Sequence, residues 1–146
     1  MQTSLYVLLA LLMGVVFSIY LPMNSSVSRY LGSVITANIT FFLLALVTSI
    51  LIFAISGNFG AICKIKNVPP YLFLTGVVSA FAVLGITFLI PKLGARKFFI
   101  LTITGQIIAA IIISHLGVLE SPKDPITLKK ILGAVLLMIG AIVSTV

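Results

Sequence analysis

Acidic residues are almost absent from this chain. Among its 146 residues only Glu120 and Asp124 carry carboxylates, against nine Lys and Arg. Tryptophan is missing, and cysteine and histidine occur once each, as Cys63 and His115. Each shortage excludes something. Both acids fall in one short polar stretch, so no carboxylate lies in an apolar segment to serve as a general acid or base at depth. A lone histidine and a lone cysteine cannot build a metal cluster. Cys63 cannot close an intrachain disulfide, so the secreted disulfide scaffolds are excluded. No phosphate-binding loop or calcium loop is present. The expectation is a protein that is not an enzyme and holds no cofactor or metal.

Apolar residues are what the chain has in excess. They make up 61% of it, where about half is usual for a soluble domain. They fall into five runs, about Leu5–Met23, Val34–Ile55, Tyr71–Ile90, Phe98–Ser114 and Ile131–Val146, none of which contains a charge. A hydrocarbon core of ~30 Å needs roughly 20 apolar residues per helix. The first three runs meet this, and the fourth is somewhat short. The last gains length by starting near Ile126, with Lys129 and Lys130 snorkelling to the headgroups. The runs are continuous and do not alternate as barrel strands do. An all-α membrane protein of five transmembrane helices in one domain, residues 1–146, is therefore predicted. The first run lacks a positive leader and a small-residue cleavage site, so it reads as a retained span. The tight Pro91–Arg96 connection predicts antiparallel neighbours in the third and fourth spans.

The basic residues divide almost evenly across such a membrane. Lys64, Lys66, Lys123, Lys129 and Lys130 fall on one side, and Arg29, Lys92, Arg96 and Lys97 on the other. Lys and Arg near span ends set orientation, and acids count little. Five against four selects neither orientation strongly. The count predicts dual topology and an antiparallel homodimer of ten helices. The charges sit in short connections and form no continuous basic face, so they fit lipid headgroups and not nucleic acid.

Polar residues inside the runs are the candidates for a site, because lipid cannot satisfy them. In the fourth run Thr102, Gly105, Gln106 and Ala109 share a helical face. Gln106 lies roughly 12 Å along the helix from Phe98, near the bilayer midplane. Its carboxamide is suited either to a solute or to a hydrogen bond between helices. Ser18 and Asn24 in and after the first run, and Asn38 one turn into the second, are further candidate lining residues, with packing or capping as their alternative roles. His115, at the end of the fourth run, is the one side chain of the type that changes charge near neutral pH; an interfacial role is the plainer one. Gly133, Gly140 and Ser144 share a face of the last run and are the candidate dimer seam.

Several local patterns occur together: Gly14 with Pro22 and Asn24, then Pro91-Lys92-Leu93-Gly94-Ala95, then Gly105-Gln106, then Ser114-His115-Leu116-Gly117. With five short spans they resemble the YdcZ-type family of inner-membrane exporters in the drug/metabolite transporter superfamily, over nearly the whole chain. The resemblance implies a multi-pass protein of the bacterial cytoplasmic (inner) membrane that transports a small solute. It also implies members that occur singly, as opposed pairs or as fused ten-span forms. Many relatives carry Asp before the histidine of the fourth span. Here that position is Ser114, which leaves no carboxylate there for a proton or cation role. Small multidrug exporters of the superfamily use a Glu in the first span, and this chain has none. The expectation is alternating access by an inverted dimer, with Gln106 central, Thr102, Ser18 and Asn38 lining the cavity, and Gly105 permitting close approach. The partners are the solute, the bilayer and a second copy. A small dual-topology channel and a non-transporting membrane assembly partner are the other classes.

Overall fold

The structure, a computed structural model, describes residues 2–57, 59–118 and 123–145. Glu120 and Val146, the last residue of the fifth apolar run, lie outside them. The described residues form five helices and no strand: α1 (Gln2–Leu31), α2 (Val34–Ser56), α3 (Leu74–Leu93), α4 (Ala95–Leu116) and α5 (Leu128–Thr145). Two 3-10 helices, Phe59–Asn67 and Pro70–Phe73, connect α2 to α3. Four helical stretches are long and apolar enough to cross a membrane: Ser4–Leu31, Val34–Ser56, Pro70–Leu93 and Ala95–Leu116. Helix α5 has 18 residues, or about 27 Å at the helical rise.

The helices run past the apolar stretches that announce them. Helix α1 continues through Pro22 to Leu31, where the sequence places a stop near Met23. Proline lacks an N–H and leaves a carbonyl one turn back without its usual donor, a loss that membrane helices tolerate when nearby groups compensate. The polar stretch that follows, Asn24 to Ser28, remains helical because its side chains find partners. Gly32, at φ +66°, ends α1 in the left-handed conformation that costs glycine least. Ser33 then caps α2 by accepting a hydrogen bond from the Thr36 N–H at 3.2 Å. Helix α4 likewise starts at Ala95 and ends on Gly117, at φ +63°, whose N–H donates to Ile113 O at 2.9 Å.

The chain forms two compact units, Met1–Lys92 and Leu93–Val146. In the first, α1 packs along α2, and hydrogen bonds tie both to α3. Its buried residues are few and mostly small or polar: Ala37 and Thr87 are fully buried, with Leu21, Asn24, Ser25, Ser28, Val83 and Ile90 nearly so. Most of the large aliphatic side chains point outward. Lipid tails are as apolar as leucine, so helix association in a membrane relies on close packing and hydrogen bonds instead of on the expulsion of water. In the second unit α4 packs on α5.

Candidate functional site

Hydroxyl and carboxamide side chains behave differently in these helices. Ser18 Oγ donates to Gly14 O at 3.0 Å, Thr48 Oγ1 to Leu44 O at 2.8 Å, and Thr102 and Thr104 Oγ1 to Phe98 O and Ile100 O at 2.8 Å each. Each bond returns to the preceding turn of the same helix, so these residues satisfy themselves without a neighbour. A carboxamide has two donors and an acceptor and cannot do this fully. The candidate spans hold three: Asn24, Asn38 and Gln106.

Asn24 and Asn38 reach across to α3. Asn24 Nδ2 donates to Thr87 Oγ1 at 2.8 Å, and Thr87 Oγ1 donates in turn to Val83 O at 2.7 Å. Ser25 Oγ donates to Thr87 O at 3.3 Å, and Ser28 Oγ to Ser25 O at 2.7 Å. This chain of polar groups is buried and fastens α1 to α3. Asn38 Nδ2 donates to Ala80 O at 3.3 Å, fastening α2 to the same helix. Its Oδ1 is buried with no hydrogen-bond partner among the described residues. Ala80, half-buried and small, leaves its carbonyl within reach.

An open groove of about 510 Å³ lies between α1 and α2, lined by Tyr20, Asn24, Thr40, Phe41, Ala45 and Thr48 among others. Tyr20 and Phe41 stack across it, with centroids 6.0 Å apart and planes 15° from parallel. Phe17 meets the edge of Tyr20 at 5.7 Å, and Phe42 meets Phe41 at 5.2 Å. Tyr20 is not among the lining residues that the sequence singles out. Its spacing of four from Asn24, with Phe41, Ala45 and Thr48 on one face of α2, is the signal that places it in the groove.

Gln106 stands midway along α4. Ile100, Ile103, Thr104 and Ile107 face α5 across a groove of about 260 Å³. Gln106 is about 100° around the helix from Ile107, and Thr102, Gly105 and Ala109 lie farther round. Its side chain is exposed and makes no hydrogen bond among the described residues. Gly105 is also exposed, and Thr102 is half-buried.

At the end of α4 the chain folds back. Asp124 N–H donates to Ser114 O at 2.9 Å, and Ile126 N–H to His115 Nδ1 at 3.4 Å. Lys130 pairs with the Asp124 carboxylate and donates to Pro125 O at 2.9 Å. His115 itself is exposed. On α5, Gly140 and Ser144 line the groove facing α4, and Gly133 is exposed. Thus the sequence candidates fall into separate places: Asn24 on α1 and Asn38 on α2, both bonded to α3, Ser18 one turn before Pro22, Thr102, Gly105 and Gln106 on one flank of α4, and His115 at its end.

The family model described as 'Putative inner membrane exporter, YdcZ' matches residues 5–143. The chain belongs to that family. It is a multi-pass protein of the inner membrane, with helices of spanning length and, halfway along one of them, a carboxamide that has no partner among the described residues. No curated protein and no solved structure matches this YdcZ-family chain.

Proposed function

We propose that the chain exports a small neutral or amphipathic solute by alternating access, as an antiparallel homodimer with five spans in each copy. The observation that carries the reading is Gln106. It is the one carboxamide within the candidate spans whose side chain has no partner among the described residues, and it is exposed on a flank of α4 turned from α5. An amide so placed in lipid is costly, so it faces protein or a water-filled path in the working assembly. In an inverted pair, equivalent residues approach one site from both sides, and rocking exchanges its openings. Gln106 supplies the central polar contact, with Gly105 beside it permitting close approach and Thr102 on the same face of α4; in the first unit, Ser18, Asn24 and Asn38 are the polar side chains available to a solute. His115 stands at the end of the same helix, α4. The Tyr20–Phe41 groove suits a solute with a flat apolar face. Gly133, Gly140 and Ser144 form the seam with the second copy.

The test is a thermal-shift screen of the purified protein against small metabolites and drugs, since a ligand of the folded state raises apparent stability. A compound that stabilises the native protein and not Gln106→Leu supports the site. Hits that stabilise both equally place the site elsewhere.

A further inference from the structure

The 3-10 helix Phe59–Asn67 carries an apolar stripe that matches its winding. At three residues per turn, side chains three apart eclipse one another. Phe59, Ile62, Ile65 and Val68 follow that spacing. They are 61%, 54%, 51% and 37% exposed, respectively. Val68 N–H donates to Ile65 O at 3.1 Å, which carries the repeat one residue past the end of the helix. Lys64 and Lys66 are the immediate neighbours of Ile65, so they project about 120° to either side of the stripe. No acid occurs between Gly57 and Pro70. The segment joins two stretches of spanning length, Val34–Ser56 and Pro70–Leu93, which holds it at the membrane surface. Phe59 meets Phe53 of α2 edge to face at 5.3 Å, so the segment starts against the end of that helix.

We propose that this helix lies in the headgroup layer as an anionic-lipid-binding arm, with Phe59, Ile62, Ile65 and Val68 in the acyl boundary and Lys64 and Lys66 on phospholipid phosphates. An amphipathic helix with flanking lysines is what an interface plane accommodates: the stripe leaves water while the ammonium groups snorkel to the phosphates. The negative charge of the leaflet complements a segment that has two cations and no anion. Two lysines alone would also suit soluble phosphate. The stripe commits the arm to a lipid surface, because soluble phosphate offers nothing to cover four apolar side chains.

The test uses the full chain in liposomes of phosphatidylcholine with or without phosphatidylglycerol. Cys63→Ala removes the native thiol, and single cysteines are then introduced as Ile62→Cys, Ile65→Cys, Ala61→Cys and Asn67→Cys. Each is labelled with a polarity-sensitive fluorophore. Probes at positions 62 and 65 are expected to emit at shorter wavelength and to be quenched by nitroxide on lipid tails. Those at 61 and 67 should report water. Adding Lys64→Gln and Lys66→Gln should reduce the quenching at 62 and 65 in phosphatidylglycerol vesicles. Four probes that all report water would overturn the arm and leave the stripe free for a protein partner. Quenching that ignores both phosphatidylglycerol and the lysines would overturn the anionic-lipid assignment. Either leaflet reports the same contrast, so the orientation of the protein does not affect the outcome.

Discussion

At the residue scale, the carboxamides differ in whether a partner holds them. Asn24 is held by Thr87, which is fully buried and whose hydroxyl both accepts and donates. Thr87→Val preserves shape and strands the Asn24 amide. Hydrogen bonds between membrane helices average about 0.6 kcal/mol and reach about 1.7. A destabilisation in that range is expected in detergent unfolding, with Thr87→Ser restoring most of it. Gln106→Leu strands no partner among the described residues, so its unfolding midpoint should stay near that of the native protein. Loss of one hydrogen bond to solute, about 1 kcal/mol, should weaken ligand binding roughly fivefold. If Gln106→Leu instead lowers stability while apparent affinity holds, the side chain is helix glue.

At the element scale, α5 carries the proposed seam between copies. Beyond the local backbone of α5, a Cβ added at Gly140 or at Gly133 would meet no atom of the described residues within 4 Å. Neither position is crowded at the Cβ, although Gly140 also lines the groove facing α4. Gly140→Leu should lower the fraction of dimer cross-linked in membranes more than Val135→Leu. Equal fractions place the interface on another helix. Helix α1 makes a related point. Its 30 residues give a length of about 45 Å, half as long again as the hydrocarbon core. Its last turns, with Arg29 and the strongly exposed Tyr30, therefore extend toward the headgroups or tilt the helix.

At the scale of the whole molecule, charge governs orientation and coupling. Lys123→Gln and Lys129→Gln with Tyr30→Lys would change the count from five against four to three against five. A single orientation should result, read by cysteine accessibility from outside intact cells, and transport should fall if an inverted pair is required. The unaltered chain should show both orientations; uniform labelling would remove dual topology. Coupling follows from the scarcity of acids. No candidate span holds Asp or Glu, and Asp124 is occupied by Lys130. Proton exchange needs a titrating group reached alternately from both sides, so solute flux is expected to follow its own gradient. Liposomes with an imposed pH difference and no solute gradient provide the check. Uphill accumulation there would refute uncoupled transport, and its loss in His115→Gln would name the responsible group.

Much of this protein can be read from residue order alone. Continuous apolar runs without charge dictate membrane helices, since a backbone in lipid must satisfy its own hydrogen bonds. Gln106 was legible as a candidate because an amide in an apolar run is conspicuous. What the order could not show was which amides are already spoken for. Asn24 and Thr87 lie far apart in sequence, and only packing of α1 against α3 brings them together. The same packing lets α1 continue past Pro22, where local proline chemistry alone points to a stop. The connection between α2 and α3 shows the limit most sharply. At the α-helical period Phe59, Ile62, Ile65 and Val68 would drift about halfway round the axis. Wound at three residues per turn they form one stripe. Composition placed two lysines beside four apolar residues; the backbone winding decided that they share a surface.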